Sequence, residues 1–72
     1  MHKYRIKIDL SKMPKTDLVR WDRRKPEGVR AIARRGNHQT WIMLAAHMTG
    51  ALKKAQALLR GFKANVDEIE LY

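Results

Sequence analysis

Gly28–Met48 reads GVRAIARRGNHQTWIMLAAHM, and the way this stretch folds decides the architecture. Gly36 and Asn37 in its middle tolerate positive φ and suit a tight hairpin turn. That turn pairs Arg35 with His38, Ala33 with Thr40, Ala31 with Ile42 and Val29 with Leu44. It sets Arg34 opposite Gln39, Ile32 opposite Trp41 and Arg30 opposite Met43. One face then collects Val29, Ala31, Ala33, Ile42 and Leu44, and the other Arg30, Ile32, Arg34, Gln39 and Trp41, the segregation a half-buried sheet requires. The alternative is a pair of helices, with Gly36 ending one and Asn37 capping the next, which the alanine, arginine, leucine and methionine content favours. The apolar run 41–48 fits either period, and the hairpin is the reading adopted.

The flanks support it. From His2 to Leu10, Tyr4, Ile6, Ile8 and Leu10 alternate with Lys3, Arg5, Lys7 and Asp9, the period of a strand with one apolar face. Pro14 interrupts the chain. Thr16 is placed to cap a short helix over 16–24, with Asp17 in its first turn and Pro26 beyond its end; a strand through Leu18–Trp21 is the alternative. Thr49–Phe62 carries Ala51, Leu52, Ala55, Leu58, Leu59 and Phe62 at helical spacing, with Thr49 as cap and Gly61 as the closing turn. Val66–Tyr72 alternates again. The spacing therefore predicts one α+β domain over 1–72, a small two-layer ferredoxin-like (βαββαβ) fold with an antiparallel sheet and one main C-terminal helix. A mainly helical centre flanked by terminal strands is the alternative. With helices on one side of the sheet, Lys3, Arg5, Lys7, Arg30, Arg34 and Trp41 are expected on the open side. The acidic last strand is expected beside the basic first one.

Seventy-two residues bury a limited core, and there is no cysteine to staple it, so a tight small core or a homodimer is the expected means of support, with the homodimer favoured. The missing cysteines fit a reducing, cytoplasmic setting. No apolar run is long enough to cross a bilayer, no signal-like block opens the chain, and no spacing implies a metal or other cofactor.

The net charge is +9, and it is unevenly distributed. Residues 1–63 hold all 16 lysines and arginines with four of the acids, whereas 64–72 hold Asp67, Glu68 and Glu70 and no base. Within Arg20–Arg35 stand Arg20, Arg23, Arg24, Lys25, Arg30, Arg34 and Arg35 against Asp22 and Glu27. Arginine offers a planar fork of donors that matches phosphate, and clustered cations gain affinity for a polyanion by releasing its counterions. The expected site is therefore a phosphate-contacting surface made by these seven residues, with Lys53 and Arg60 at its periphery and Trp41 available for stacking on a base. The expected partner is nucleic acid, DNA ahead of RNA, with no membrane role. The rival is an inhibitor or adaptor of the phage or mobile-element type that docks on an acidic protein surface.

Two local resemblances bear on this. Ser11-Lys12-Met13-Pro14, Leu18, Arg20-Trp21, Arg23 and Val29-Arg30 resemble the opening of Arc-type ribbon-helix-helix repressors over about a third of the chain. That resemblance implies a DNA-reading strand followed by two helices. Asp22 stands where that family has proline, Gly36-Asn37-His38 where it has a Gly-Arg-Ser segment, and the first strand has no counterpart. The Gly36-x-His38 turn is weakly similar to that of HicA-type mRNA interferases, which implies RNA cleavage by His38. The helix that precedes the sheet in those proteins is a strand here. A general base also needs a positioned partner, and the sequence sets no carboxylate near His38. A polar turn histidine in a protein that is not an enzyme is the reading adopted.

Overall fold

A computed structural model describes residues 1–24, 26 and 28–72. Its elements are β1 (His2–Asp9), α1 (Lys15–Asp22), β2 (Val29–Ala31), β3 (His38–Ala45), α2 (Met48–Leu58) and β4 (Asn65–Leu71). The four strands form one antiparallel sheet in the order β2-β3-β1-β4, so the fold is α+β with two helices against four strands. The hairpin reading of the decisive stretch holds, and the mainly helical alternative does not.

β1 lies at the centre because its alternation gives it one wholly apolar face. Tyr4, Ile6 and Ile8 are buried toward the helices. Each fully buried side chain of this size contributes roughly 1.5–3 kcal/mol. On β3 the buried residues are Trp41, Met43 and Ala45, opposite Ile6, Tyr4 and His2 of β1. Helix α2 supplies Ala51, Ala55 and, just past its end, Leu59, small residues that let it sit close to the sheet. Leu10, Met13 and Trp21 complete the core from the β1–α1 segment. The two tryptophans stack, rings 5.5 Å apart and 4° from parallel, and Phe62 meets Trp21 edge-on at 5.1 Å. The Trp21 indole N–H donates to Gln39 Oε1, and Gln39 Nε2 donates to the Ile32 carbonyl at 3.0 Å, which ties α1 to the hairpin.

Several expectations need correction. The hairpin register is one residue off along most of its length. Arg35 does bridge His38, but Val29 pairs with Met43, Arg30 with Ile42 and Ala31 with Trp41. The Ile32 N–H reaches the Thr40 carbonyl, so one extra residue is accommodated at Ala33-Arg34. Such a bulge turns every side chain beyond it to the other face. Ile42 and Leu44 therefore lie on the open face, and Trp41 lies in the core. Only Gly36 takes positive φ at the turn (+57°); Asn37 does not. Neither helix has the threonine cap. Pro14 precedes α1 and His47 precedes α2, and neither makes a side-chain cap bond. The segment that would be the DNA-reading strand of a ribbon-helix-helix protein is helix α1 here, so that arrangement is not present.

Among the described residues, no helix is long and apolar enough to cross a membrane.

Candidate nucleic-acid interface

The arginine-rich run is continuous in sequence but is divided in space. Arg20 lies on the exposed side of α1, 3.7 Å from Asp17, and its guanidinium stands 4.9 Å from the centre of the Phe62 ring. Arg24, just beyond the helix, places its guanidinium 5.0 Å from the same ring and 6.0 Å from Trp21. Arg23 caps the end of α1 and is exposed, with no ion pair among the described residues. Phe62 is held there by the turn that follows α2, where its N–H bonds the Leu59 carbonyl at 3.0 Å and Gly61 takes φ +89°. Only a residue without Cβ adopts that angle without strain.

Arg34 has a different role. Its Nε and Nη2 donate to the two oxygens of Asp22, both at 3.0 Å, and its Nη1 donates to the Gly36 carbonyl at 2.8 Å. This fork spans α1, the bulge and the turn, and its donors are largely used. Hydrogen bonding from Arg34 holds the Asp22 carboxyl below the usual carboxylate range, and Asp22 in return raises the pKa of Arg34. Arg34 was expected on the open face as a phosphate contact; it is half-buried and serves as a clamp instead.

Arg30 is exposed on the open face of the sheet opposite Ile42. Arg35 lines a shallow hollow with Lys7, His38 and Thr40. Lys53 and Arg60 are exposed on α2 and in the turn after it. Lys25 lies outside the described residues. Trp41, expected to stack on a base, is 1% exposed and belongs to the core.

Charge separates by layer. Among the described residues, the helices and the segments joining them to the sheet carry Lys12, Lys15, Arg20, Arg23, Arg24, Lys53, Lys54, Arg60 and Lys63 against Asp17 and Asp22. On the open sheet face, Arg5 and Lys7 of β1 meet the acids of β4 directly. Arg5 pairs with Glu70, its Nε donating at 2.7 Å, and Lys7 lies opposite Glu68. The expected pairing of acidic last strand with basic first strand is thus present. An irregularity between Lys7 and Ile8 leaves Asp67 as an extra residue on β4, and its carboxylate lies 3.8 Å from His38 Nε2. Asp9 is opposite His38 in register, and the Ser11 N–H, 2.9 Å away, holds its carboxyl below the usual range. The absence of a carboxylate near His38, expected from the sequence, is therefore corrected. No group of three metal-ligating side chains occurs among the described residues.

The sequence did not reveal the partition of charge by layer or the Arg20–Phe62–Arg24 cluster. The i, i+4 spacing of the two arginines on a predicted helix was the available signal, but Phe62 is remote in sequence. Comparison with protein-family models, with curated proteins and with solved structures finds no match to this chain.

Proposed function

We propose that this chain is a small basic nucleic-acid-binding domain that contacts phosphates through its helix layer, duplex DNA being the preferred partner. The observation that carries the reading is the partition of charge. Among the described residues the helix layer holds nine lysines and arginines against two aspartates, while Arg5 and Lys7 of β1 lie opposite Glu70 and Glu68 of β4. An unbalanced cationic layer attracts a polyanion, and each phosphate it neutralises releases counterions. Burial of Trp21 and Trp41 removes both large stacking surfaces from solvent, which favours a duplex backbone over unpaired bases. Strand order β2-β3-β1-β4 with two intervening helices also supports a ferredoxin-like (βαββαβ) assignment. Arg20, Arg23, Arg24, Lys53 and Arg60 are the contacts, with Arg30 and Arg35 peripheral on the other face.

Fluorescence anisotropy with labelled duplex DNA and labelled single-stranded RNA, each over a salt series, tests the reading. Five contacts give a log–log slope of about −4 to −5, so a fourfold rise in salt weakens binding several hundredfold. Arg23→Glu with Arg60→Glu abolishes it. A salt-independent affinity, or none at low salt, refutes the proposal.

A second reading, an inhibitor or adaptor docking on an acidic protein, is favoured by one observation. Ile32 and Leu44 are 43% and 49% exposed on a sheet that also presents Arg30. Recovery of one stoichiometric partner from nuclease-treated lysate, lost on Arg30→Glu, separates it from the first.

A further inference from the structure

Two guanidiniums gather on a single phenyl ring at the junction of α1 with the α2–β4 turn. The guanidinium carbons of Arg20 and Arg24 stand 4.9 and 5.0 Å from the Phe62 centroid. The quadrupole of a phenyl ring attracts one cation comfortably. A second cation on the same ring is repelled by the first unless an anion lies between them. Among the described residues Arg20 pairs with Asp17 at 3.7 Å, long for an ion pair, and the Arg20 side chain is largely exposed. Arg24 makes no ion pair among the described residues. Its Nη1 is buried there with no hydrogen-bond acceptor among the described residues, an arrangement that is costly for a charged donor. Phe62 and Trp21 hold the Arg24 guanidinium in position, so binding an anion requires little further ordering of that side chain.

We infer that Arg20 and Arg24, gathered on Phe62, form a discrete site for one phosphate group. The inference rests on the nucleic-acid reading above and names the point where that layer grips the backbone. Phosphate fits better than carboxylate on donor arithmetic. One guanidinium fork satisfies both oxygens of a carboxylate, whereas a phosphate has enough acceptors to bind two forks at once. Lysine cannot replace either arginine, because an ammonium lacks the planar fork and does not lie flat on the ring.

The test is titration with inorganic phosphate, followed through the arginine Nε–H and tryptophan indole resonances, with acetate at matched ionic strength as the comparison anion. The expected result is a saturable shift of the Arg20, Arg24 and Trp21 signals with phosphate and none with acetate. Arg24→Lys, which conserves charge, removes the saturation and weakens duplex binding about tenfold while leaving the salt slope unchanged. Phe62→Leu, which keeps both charges and removes the ring, gives the same loss. Arg5→Lys on the sheet face changes neither. Comparing 5′-phosphorylated with unphosphorylated oligonucleotides distinguishes a terminal phosphate from a backbone diester.

Equal saturation by acetate would overturn the inference in favour of a carboxylate-bearing protein partner. A linear, unsaturating response would overturn it outright. Salt-dependent duplex binding that survives Arg24→Lys undiminished would remove the discrete site and leave the broader reading standing. Saturable phosphate binding without any oligonucleotide binding would support the site and remove the broader reading.

Discussion

Trp21 and Trp41 stack on each other, yet their replacement by phenylalanine is expected to have unequal effects. Both are essentially buried, at 2% and 1% exposure, and both substitutions remove the same volume. The cavity cost is therefore similar, and a phenyl ring at either position still stacks on its neighbour. The polar atoms differ. Trp21 Nε1 donates to Gln39 Oε1, so Trp21→Phe removes that bond and strands a part-buried amide oxygen. Trp41 Nε1 is buried with no acceptor among the described residues, so Trp41→Phe removes an unsatisfied donor. Leaving a buried group unpaired costs about 1–3 kcal/mol, and removing an unpaired one relieves a similar penalty. The two terms add, so Trp21→Phe should be less stable than Trp41→Phe by about 2–6 kcal/mol. For a domain of this size even the lower end separates the melting temperatures by roughly 8–16 °C. Urea unfolding followed by circular dichroism, with the one remaining tryptophan as a second probe, measures the difference at constant m-value. Equal midpoints, or a lower midpoint for Trp41→Phe, would refute the argument that the polar atoms, not the rings, set the asymmetry.

Other perturbations follow from single features. In the folded chain the Arg34 fork holds the Asp22 carboxyl below the usual carboxylate range and the Ser11 N–H does the same for Asp9, so their contribution is present above the unfolded carboxylate range and is lost as pH falls through it. Asp22→Asn should flatten that acid limb in urea midpoints taken from neutral pH downward. Gly50, inside α2, has open space where a Cβ would stand, so Gly50→Ala should stabilise by about 0.5–1 kcal/mol, read as a higher melting temperature. Gly36→Ala meets nothing within 4 Å but must adopt φ +57°, so it should cost about 1 kcal/mol through the backbone alone, with Gly36→Asn costing less. Glu68→Gln with Glu70→Gln releases Lys7 and Arg5 from their acidic neighbours on the sheet face and, with the helix layer making the contacts, should leave the salt slope of duplex binding unchanged. A slope steeper by about 1–2 would place the sheet face in contact and refute the proposed orientation.

The parts of the fold legible in the sequence were those where hydropathy had only one reading. β1 alternates without exception from Lys3 to Leu10, and the Ala51, Ala55, Leu59 stripe leaves α2 one possible face. The boundaries of α2 differ from the threonine-capped 49–62 because the chain enters from an extended His47 and leaves through Leu59, with no side-chain cap. The β2–β3 register was not legible. Trp41-Ile42-Met43-Leu44-Ala45 is apolar at every position, so a one-residue slip leaves its hydropathy unchanged. The contacts that accompany the observed register come from elsewhere in the chain: Trp21 stacks on Trp41, and Asp22 holds Arg34 beside the bulge. The site was legible only as composition for the same reason. Arg20, Arg30 and Arg34 are close in sequence, but one lies against Phe62, one on the open sheet face and one on Asp22.

The acids of β4 carry as much of the functional argument as the arginines. A chain with this excess of positive charge and no internal compensation would attract polyanions on every face, and its orientation on a duplex would be undefined. Here Glu70 engages Arg5, Glu68 faces Lys7 and Asp67 reaches His38, so the sheet face nearest β4 has little net charge to offer. Exposed pairs of this kind contribute little to stability, on the order of 0–1 kcal/mol. What they change is where positive charge is left unbalanced: among the described residues the helix layer sets Arg20, Arg23, Arg24, Lys53 and Arg60 against only Asp17 and Asp22. A docking orientation set by the cancellation of charge on one layer requires no base-specific contact. On the proposed reading it also leaves Ile32, Ile42 and Leu44 on the face away from the duplex.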